Sequence, residues 1–140
     1  MIGFLVEAKS IAYIAHAGQK DKAGNPYIDH PRTVASKMDT DEEKAVAWLH
    51  DVVEDTEWTL DDLKTEDFPE SVLEAVELLT HGKNKPYMEY ILRIKNNPLA
   101  RKVKIADLSH NVDLSRLPEV TMKDIMRCRK YLDALDYLIR

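Results

Sequence analysis

Residues 45–56 read AVAWLHDVVEDT, an apolar run that contains His50 and Asp51 and ends with Glu54 and Asp55. Apolar side chains occupy nearly every side of the helix that this stretch predicts, and such a helix usually lies in the middle of a fold. We therefore expect His50 and Asp51 to be buried. A buried carboxylate beside an imidazole is costly unless a partner replaces the lost water, and a divalent cation satisfies both groups.

The spacing of these polar residues permits two interpretations. His50 and Glu54 are four apart, as are Asp51 and Asp55, so the side chains project toward neighbouring faces of one helical segment. Two of them could bind a metal while the other two stand over it. Alternatively, His50 is a core histidine bonded to Asp51, and the last two acids lie in solvent. The segment alone leaves both interpretations open.

Two distant segments add polar residues of the same kind. His30 directly precedes a proline where a loop is predicted to enter a helix, and Asp107 lies in the apolar stretch VKIADL. The alternative for Asp107 is a surface acid paired with Lys104 or Arg101. Together with the His-Asp pair, these residues give two imidazoles and two carboxylates, a set that suits Mn, Fe, Co or Zn better than Ca.

The rest of the chain predicts helices and no strand. Thr40 followed by Glu43, and Thr121 followed by Asp124, have the spacing of capping boxes, and Asn97 precedes a proline as a capping residue would. We predict an all-α fold of about eight helices in one domain. The predicted helices cover residues 3–18, 31–38, 41–55, 59–65, 69–80, 86–96, 98–114 and 121–139.

Composition narrows the functional classes. The 140 residues are 44% hydrophobic and 32% charged, which is ordinary for a folded protein of one domain spanning 1–140. The formal charge of -5 argues against a nucleic-acid polymer as partner. No apolar run is long enough to span a membrane, the amino terminus lacks a basic leader, and Cys128 alone cannot form an internal disulfide. We expect a cytoplasmic protein without a membrane partner, and the sequence does not determine the oligomeric state.

The separated histidine, the adjacent His50-Asp51 pair and the distant Asp107 resemble the H...HD...D signature of the HD-domain metal phosphohydrolases. Four motifs are more specifically similar to the hydrolase domain of RelA/SpoT-type alarmone enzymes, with the resemblance running from about His16 to the last helix. The motifs are HAGQ at 16–19, PYIDHP at 26–31, LHDVVEDT at 49–56, and KIAD at 104–107 followed by Asn111. The chain would then correspond to a stand-alone small alarmone hydrolase.

The resemblance implies a site and a reaction. A divalent metal, usually manganese, would bind His30, His50, Asp51 and Asp107, while Glu54 and Asp55 would orient the attacking water and handle its proton. The substrate would be guanosine tetraphosphate or pentaphosphate, which loses its 3′-pyrophosphate to give GDP or GTP. The implied nucleotide contacts are Lys22, Asn111, Arg127 and Tyr131. Their alternatives are a solvated loop charge for Lys22, a helix-surface amide for Asn111, and a stacked pair for the last two.

Two positions depart from the family pattern and keep other functions open. Asp21 stands where a nucleotide-contacting arginine is expected, which should weaken phosphate binding, and Leu108 stands where the family often has arginine. The alternatives are an HD nucleotidase or phosphatase acting on another nucleotide, which Asp21 favours modestly, and a non-catalytic nucleotide-binding module. A water-handling pair such as Glu54 and Asp55 argues against the binding module.

Several other polar residues are interpreted without a catalytic role. We expect His81 to be a helix-end histidine favoured by the helix dipole. The basic run Arg101, Lys102 and Lys104 is expected to form the solvated face of a helix. His110 could line a pocket or face water, and the sequence does not decide between these.

Overall fold

The structure is a computed structural model that describes residues 3–140. Within this range nine α-helices and one short 3₁₀-helix form the regular structure, and the only β-type pairing is an isolated bridge between Lys20 and Pro26. The all-α prediction is confirmed. Among the same residues, no helix combines the length and the hydropathy that crossing a bilayer requires. The elements are α1 (Phe4–Ala15), α2 (Asp29–Ser36), α3 (Asp41–Leu49), α4 (Val52–Asp55), α5 (Leu60–Lys64), α6 (Glu70–Leu79), α7 (Tyr87–Lys95), α8 (Pro98–Asn111), η1 (Leu114–Arg116) and α9 (Met122–Ile139).

The predicted capping residues begin three of the helices. Thr40 and Glu43 form a reciprocal capping box at the start of α3, and Thr121 and Asp124 form another at the start of α9. The side chain of Asn97 accepts a backbone N–H in the first turn of α8. These bonds satisfy backbone donors that a helix start leaves unpaired.

The third helix lies at the centre of the fold. It packs against α1, α2, α6 and α8, and Val46 and Leu49 are fully buried within it. Burying a side chain such as that of Leu49 contributes about 1.5–3 kcal/mol. This burial holds the carboxyl end of α3 between α2 and α8, where the predicted site residues lie.

The helix predicted over 41–55 is wrong as one continuous element. It divides into α3 and α4, and Asp51 between them has φ -105° and ψ -2°. These angles lie near the sparsely populated bridge region, where many active-site residues are found. The backbone therefore leaves regular helical geometry at the His50-Asp51 pair itself.

Two other predicted helices are too long. The helix predicted over 3–18 ends at Ala15, and Gly18 then adopts a positive φ of 80°, a conformation that continues no right-handed helix. The helix predicted over 98–114 ends at Asn111. The side chain of Asp113 then accepts the Ser115 N–H and begins the separate 3₁₀-helix η1.

Candidate active site

The four predicted metal ligands lie together. One ligand atom from each of His30, His50, Asp51 and Asp107 lies within 4.8 Å of the others. His30 comes from the first turn of α2, the His50-Asp51 pair from the break between α3 and α4, and Asp107 from α8. Both histidines and Asp107 are buried. Three segments far apart in sequence thus meet at one point.

The two imidazoles are oriented by bonds on their far sides. His50 Nδ1 lies 2.5 Å from the carbonyl oxygen of Ala47, and because a carbonyl only accepts, Nδ1 carries the proton. His30 Nδ1 lies 2.7 Å from Nδ1 of His110, whose ring stacks on it. In both rings Nε2 faces the carboxylates. This arrangement is the one that ligating histidines need.

The carboxylates are held in the same way. Tyr27 donates its hydroxyl to Asp51 Oδ2 at 2.6 Å. Asp107 Oδ1 accepts the side-chain amide of Asn111 at 3.0 Å, and its Oδ2 lies 2.9 Å from the Lys104 ammonium. These partners fix the directions in which the carboxylates present their remaining lone pairs.

The cluster fits a divalent transition metal. His50 Nε2 is buried and makes no hydrogen bond within the described residues, although it lies 3.1 Å from Asp51 Oδ2. A buried acceptor left in this way costs free energy that a cation would recover. The mixed nitrogen and oxygen donors also match the preferences of such metals.

The electrostatics of the cluster favour positive charge at its centre. Burial opposes the charged form of His50, but Asp51 and Asp107 outweigh it and hold the pKa of His50 well above its ordinary value. Burial likewise opposes ionisation of Asp51, yet the His50 imidazole lowers the pKa of Asp51 to about 2. Lys104 and His50 similarly overcome burial and keep the pKa of Asp107 well below its usual range.

The two predicted water-handling acids follow at the end of α4, and both are exposed. The carboxylate of Glu54 accepts the backbone N–H of His81 at 2.7 Å. Asp55 lies 3.4 Å from the Tyr27 hydroxyl. Desolvation of its partly buried carboxyl group, followed by the charges of Asp51 and Glu54, raises the pKa of Asp55 to about 6. Asp55 therefore titrates near neutral pH and Glu54 has a fixed orientation.

A cavity of about 390 Å³ adjoins Asp55. Asp55 and Tyr27 line it, and so do all the residues predicted to contact a nucleotide, namely Lys22, Asn111, Arg127 and Tyr131. Asp124 holds the two cations of this set: Arg127 donates to its Oδ1 at 2.6 Å, and the Lys22 ammonium lies 3.8 Å from the same oxygen. Asn111 is not a helix-surface amide, because it bonds Asp107.

The two departures from the family pattern have structural roles. Asp21 Oδ1 accepts the backbone N–H groups of Ala23 and Asn25, at 2.9 and 3.0 Å, and so closes the loop that leads to Pro26. Its other oxygen lies 3.8 Å from Arg116. Leu108 is fully buried in the hydrophobic core.

One interpretation made from the sequence is wrong. Lys104 does not lie on a solvated face, because it is largely buried and paired with Asp107, with its ammonium 5.1 Å from the centre of the Tyr90 ring. His81 directly follows the end of α6, where Thr80 is the C-cap. Its backbone N–H also bonds Glu54, a contact that the sequence did not predict.

Sequence reasoning gave no site role to Tyr27 or Asp124, left the place of His110 open, and named Lys104 only as an alternative partner of a surface Asp107. Helical spacing supports the last two contacts, because Lys104 and His110 lie three residues on either side of Asp107. Tyr27 lies inside the motif that contains His30. For Asp124 the only signal in the sequence is the capping box, which predicts a helix start and no contact with Lys22.

The chain is similar to proteins of one family. Residues 8–108 match the HD domain family. The human guanosine-3′,5′-bis(diphosphate) 3′-pyrophosphohydrolase MESH1 is 38% identical over 127 residues, which cover 80% of this chain and 70% of that protein. The guanosine-3′,5′-bis(diphosphate) 3′-pyrophosphohydrolase of Haemophilus influenzae is 35% identical to this chain. The match covers 73% of this chain and 17% of that enzyme.

A longer relative and a solved structure are also similar to this chain. The chain spans only 14% of the GTP pyrophosphokinase of Streptomyces coelicolor, to which it is 32% identical over 78% of its own length. A solved structure of a metazoan ortholog of SpoT, described as hydrolysing ppGpp, superposes with a TM-score of 0.80 at 22% identity, covering 100% of this chain and 87% of that one. The protein belongs to the HD-domain family.

Proposed function

We propose that the protein is a metal-dependent phosphohydrolase that removes the 3′-pyrophosphate from guanosine tetraphosphate or pentaphosphate and gives GDP or GTP. The observation that carries this proposal is the cavity next to the four-ligand cluster. Tyr27 belongs to both, because it lines the cavity and donates its hydroxyl to Asp51. The names of the human and bacterial relatives support the choice of substrate.

We propose manganese as the metal, held by His30, His50, Asp51 and Asp107. Its support is the mixed nitrogen and oxygen donor set and the family resemblance. When bound, such a cation lowers the pKa of a coordinated water and polarises a phosphoryl oxygen. The protein side chains described above supply the remaining parts of the reaction.

Asp55 and Glu54 would handle the water. With a pKa raised to about 6, Asp55 can accept a proton from water near neutral pH. The bond from the His81 N–H fixes one Glu54 oxygen and leaves the carboxylate oriented for a second contact. The water oxygen forms a bond to the phosphorus that is attached to the 3′-oxygen. The bond between this phosphorus and the 3′-oxygen breaks, and the 3′-oxygen takes the proton that Asp55 received from the water.

The cavity would hold the nucleotide. Lys22 and Arg127 bring positive charge to it, and Asp124 bonds Arg127 and lies 3.8 Å from the Lys22 ammonium. Tyr131 adds an aromatic ring and Asn111 an amide. These groups suit an anionic ligand that carries a planar base. We assign them to substrate binding rather than to chemistry.

A panel of nucleotides, assayed with added manganese, tests this function. Guanosine tetraphosphate should release pyrophosphate, and the His50→Ala variant should release none. Orthophosphate from a nucleoside 5′-monophosphate or from a dinucleotide cofactor phosphate would instead favour the other-nucleotide phosphatase. Binding without any product would favour the non-catalytic module. Pyrophosphate from the tetraphosphate is the one outcome that supports the proposal.

We also retain two broader expectations as proposals. The protein acts in the cytoplasm, which its single cysteine supports. Its partner is a small nucleotide rather than a nucleic-acid polymer, which the formal charge of -5 supports.

A further inference from the structure

The lining of the cavity includes a basic residue, Arg116, that the sequence did not single out. Four basic side chains line it, those of Lys20, Lys22, Arg116 and Arg127. Arg116 differs from the rest because it comes from η1, on the wall formed by the segment that follows α8. Lys22 and Arg127 both pair with Asp124, whereas Arg116 lies beside Asp21. These basic side chains are therefore paired with two different acids.

The guanidinium of Arg116 is fixed on this wall. It donates to the carbonyl oxygen of His110 at 3.2 Å, and its Nε is buried without a hydrogen bond among the described residues. The side chain is 33% exposed, so the group remains open to the cavity. A guanidinium held in this way has lost much of its conformational freedom before a ligand binds, and its planar fork matches a phosphate.

Asp21 lies beside this guanidinium in the cavity lining. Its Oδ2 lies 3.8 Å from Arg116 Nη1, while its Oδ1 is occupied by two backbone N–H groups of the loop. The distance is too long for a hydrogen bond but short enough for Coulomb attraction. Asp21 therefore offsets the charge of Arg116 without saturating its donors.

We propose that Arg116 binds one of the 5′-phosphates of the nucleotide, and that Asp21 sets the strength of this contact. This inference rests on the proposed function. The Arg116 side chain is bonded to the carbonyl oxygen of His110 and to none of the four metal ligands, so we assign it to a phosphate other than the attacked one. Both phosphates of the 3′-pyrophosphate leave together, whereas the 5′-diphosphate remains on GDP, so GDP reports the proposed contact without any chemistry.

Binding of GDP and of guanosine to the manganese-loaded protein tests the role of Arg116. Hydrogen bonds to charged groups have net values near 1.5–3 kcal/mol, so Arg116→Gln should weaken GDP binding about tenfold or more and leave guanosine binding unchanged. Arg116→Lys keeps the charge but loses the planar fork of the guanidinium. Its affinity for GDP should lie between that of the parent protein and that of Arg116→Gln. Arg129→Gln is the matched control, because Arg129 is exposed on α9 and outside the cavity lining.

The variant Asp21→Asn tests the second half of the proposal. Asparagine keeps an oxygen for the Ala23 and Asn25 N–H groups but removes the charge, so GDP should bind several-fold more tightly. In the Arg116→Gln background this gain should be largely lost, and the difference between the two gains measures the coupling. An equal gain in both backgrounds would overturn the role given to Asp21.

Other outcomes separate this inference from the proposed function. Equal weakening of GDP and guanosine by Arg116→Gln, or no effect on GDP, would overturn the phosphate contact, as would a parent protein that does not bind GDP. Circular dichroism of each variant checks folding, and the lysine variant provides the test if the glutamine variant does not fold. A parent that binds GDP through Arg116 but releases no pyrophosphate from the tetraphosphate would overturn the proposed function alone.

Discussion

Each ligand at the candidate metal centre is oriented by a further side chain or by the backbone. His110 contacts His30, the Ala47 carbonyl accepts from His50, and Tyr27 donates to Asp51. These bonds hold each of the three donors in one direction, so the donors need little rearrangement to bind a metal. Pre-orientation of this kind raises affinity by lowering the entropy lost on binding.

We therefore expect Tyr27→Phe to weaken metal binding. The change removes only the hydroxyl that holds Asp51, and loss of such a supporting bond typically costs about 10–100-fold in affinity. Competition with a chelator of known affinity measures the effect. Tyr13→Phe is a matched control, since the Tyr13 hydroxyl bonds Arg32 and no site residue. Equal metal affinity in both variants would contradict the supporting role of Tyr27.

The acids at the end of α4 provide a second test at the scale of single residues. Glu54→Gln combined with Asp55→Asn should keep the metal and the fold, because neither side chain belongs to the four-ligand cluster. Hydrolysis should fall about a hundred-fold or more, the usual effect of removing a general base. The pair Glu57→Gln with Asp61→Asn removes two exposed acids elsewhere and should leave the rate unchanged. Hydrolysis by the first double variant at the parent's rate would exclude the water-handling role.

At the scale of elements, the connection between α6 and α7 supports α4. The backbone N–H of His81 bonds Glu54, while the His81 ring lies 2.7 Å from the Lys85 carbonyl oxygen and stacks on Tyr90 at 4.6 Å. Tyr90 is itself fixed by donating to the carbonyl of Leu79. The connection of residues 80–86 is therefore held in one conformation, and it positions a Glu54 oxygen.

From these contacts we predict that the His81 side chain helps to position Glu54. His81→Ala frees the connection, so kcat should fall about tenfold while KM changes little, since misplacing a catalytic group affects the chemical step. His81→Gln can still donate to the Lys85 carbonyl and should recover most of the rate. Steady-state kinetics of both variants measures this. A KM effect without a kcat effect, or no recovery by glutamine, would count against positioning.

The elements also show what local sequence could predict. The helix starts at Thr40, Asn97 and Thr121 follow from capping chemistry and are present in the structure. The break at Asp51 could not be predicted, because the apolar pattern continues through it and the deviation arises from packing and from the groups that bond the Asp51 side chain. The helix ends at Ala15 and Asn111 were also placed too late in the sequence prediction, because the turn at Gly18 and the cap at Asp113 end these helices earlier.

The site was predictable only in part from the residues themselves. Burial of His50 and of Asp107 follows from apolar neighbours in sequence, and the structure agrees with it. Asp51 was expected to be buried as well but is partly exposed. That His50 and Asp107 meet each other and His30 is a tertiary contact that no local spacing contains, and the family resemblance supplied it. Lys104 was misjudged because a basic residue in a basic run predicts solvent, whereas its position three residues before Asp107 turns it inward.

At the scale of the whole molecule, the cluster joins the central helices. α2, α3 and α8 pack on one another, and each contributes to the cluster or ends at it. In the unfolded chain the three segments that carry these donors are separated by long stretches of sequence and cannot hold one ion together. A metal that binds the cluster therefore binds the folded state selectively and should stabilise the entire fold.

We expect manganese to raise the melting temperature by about 5–10 °C. At a free metal concentration a hundred times the Kd, selective binding adds about 2.7 kcal/mol, and each kcal/mol shifts the midpoint of a chain this long by about 2–4 °C. Scanning calorimetry with manganese, and again after excess chelator, measures the shift and its reversal. Calcium at the same concentration should give a smaller shift, because two of the four donors are imidazoles. The His50→Gln variant should show almost none, and the same shift in that variant would mean that manganese stabilises the protein from another site.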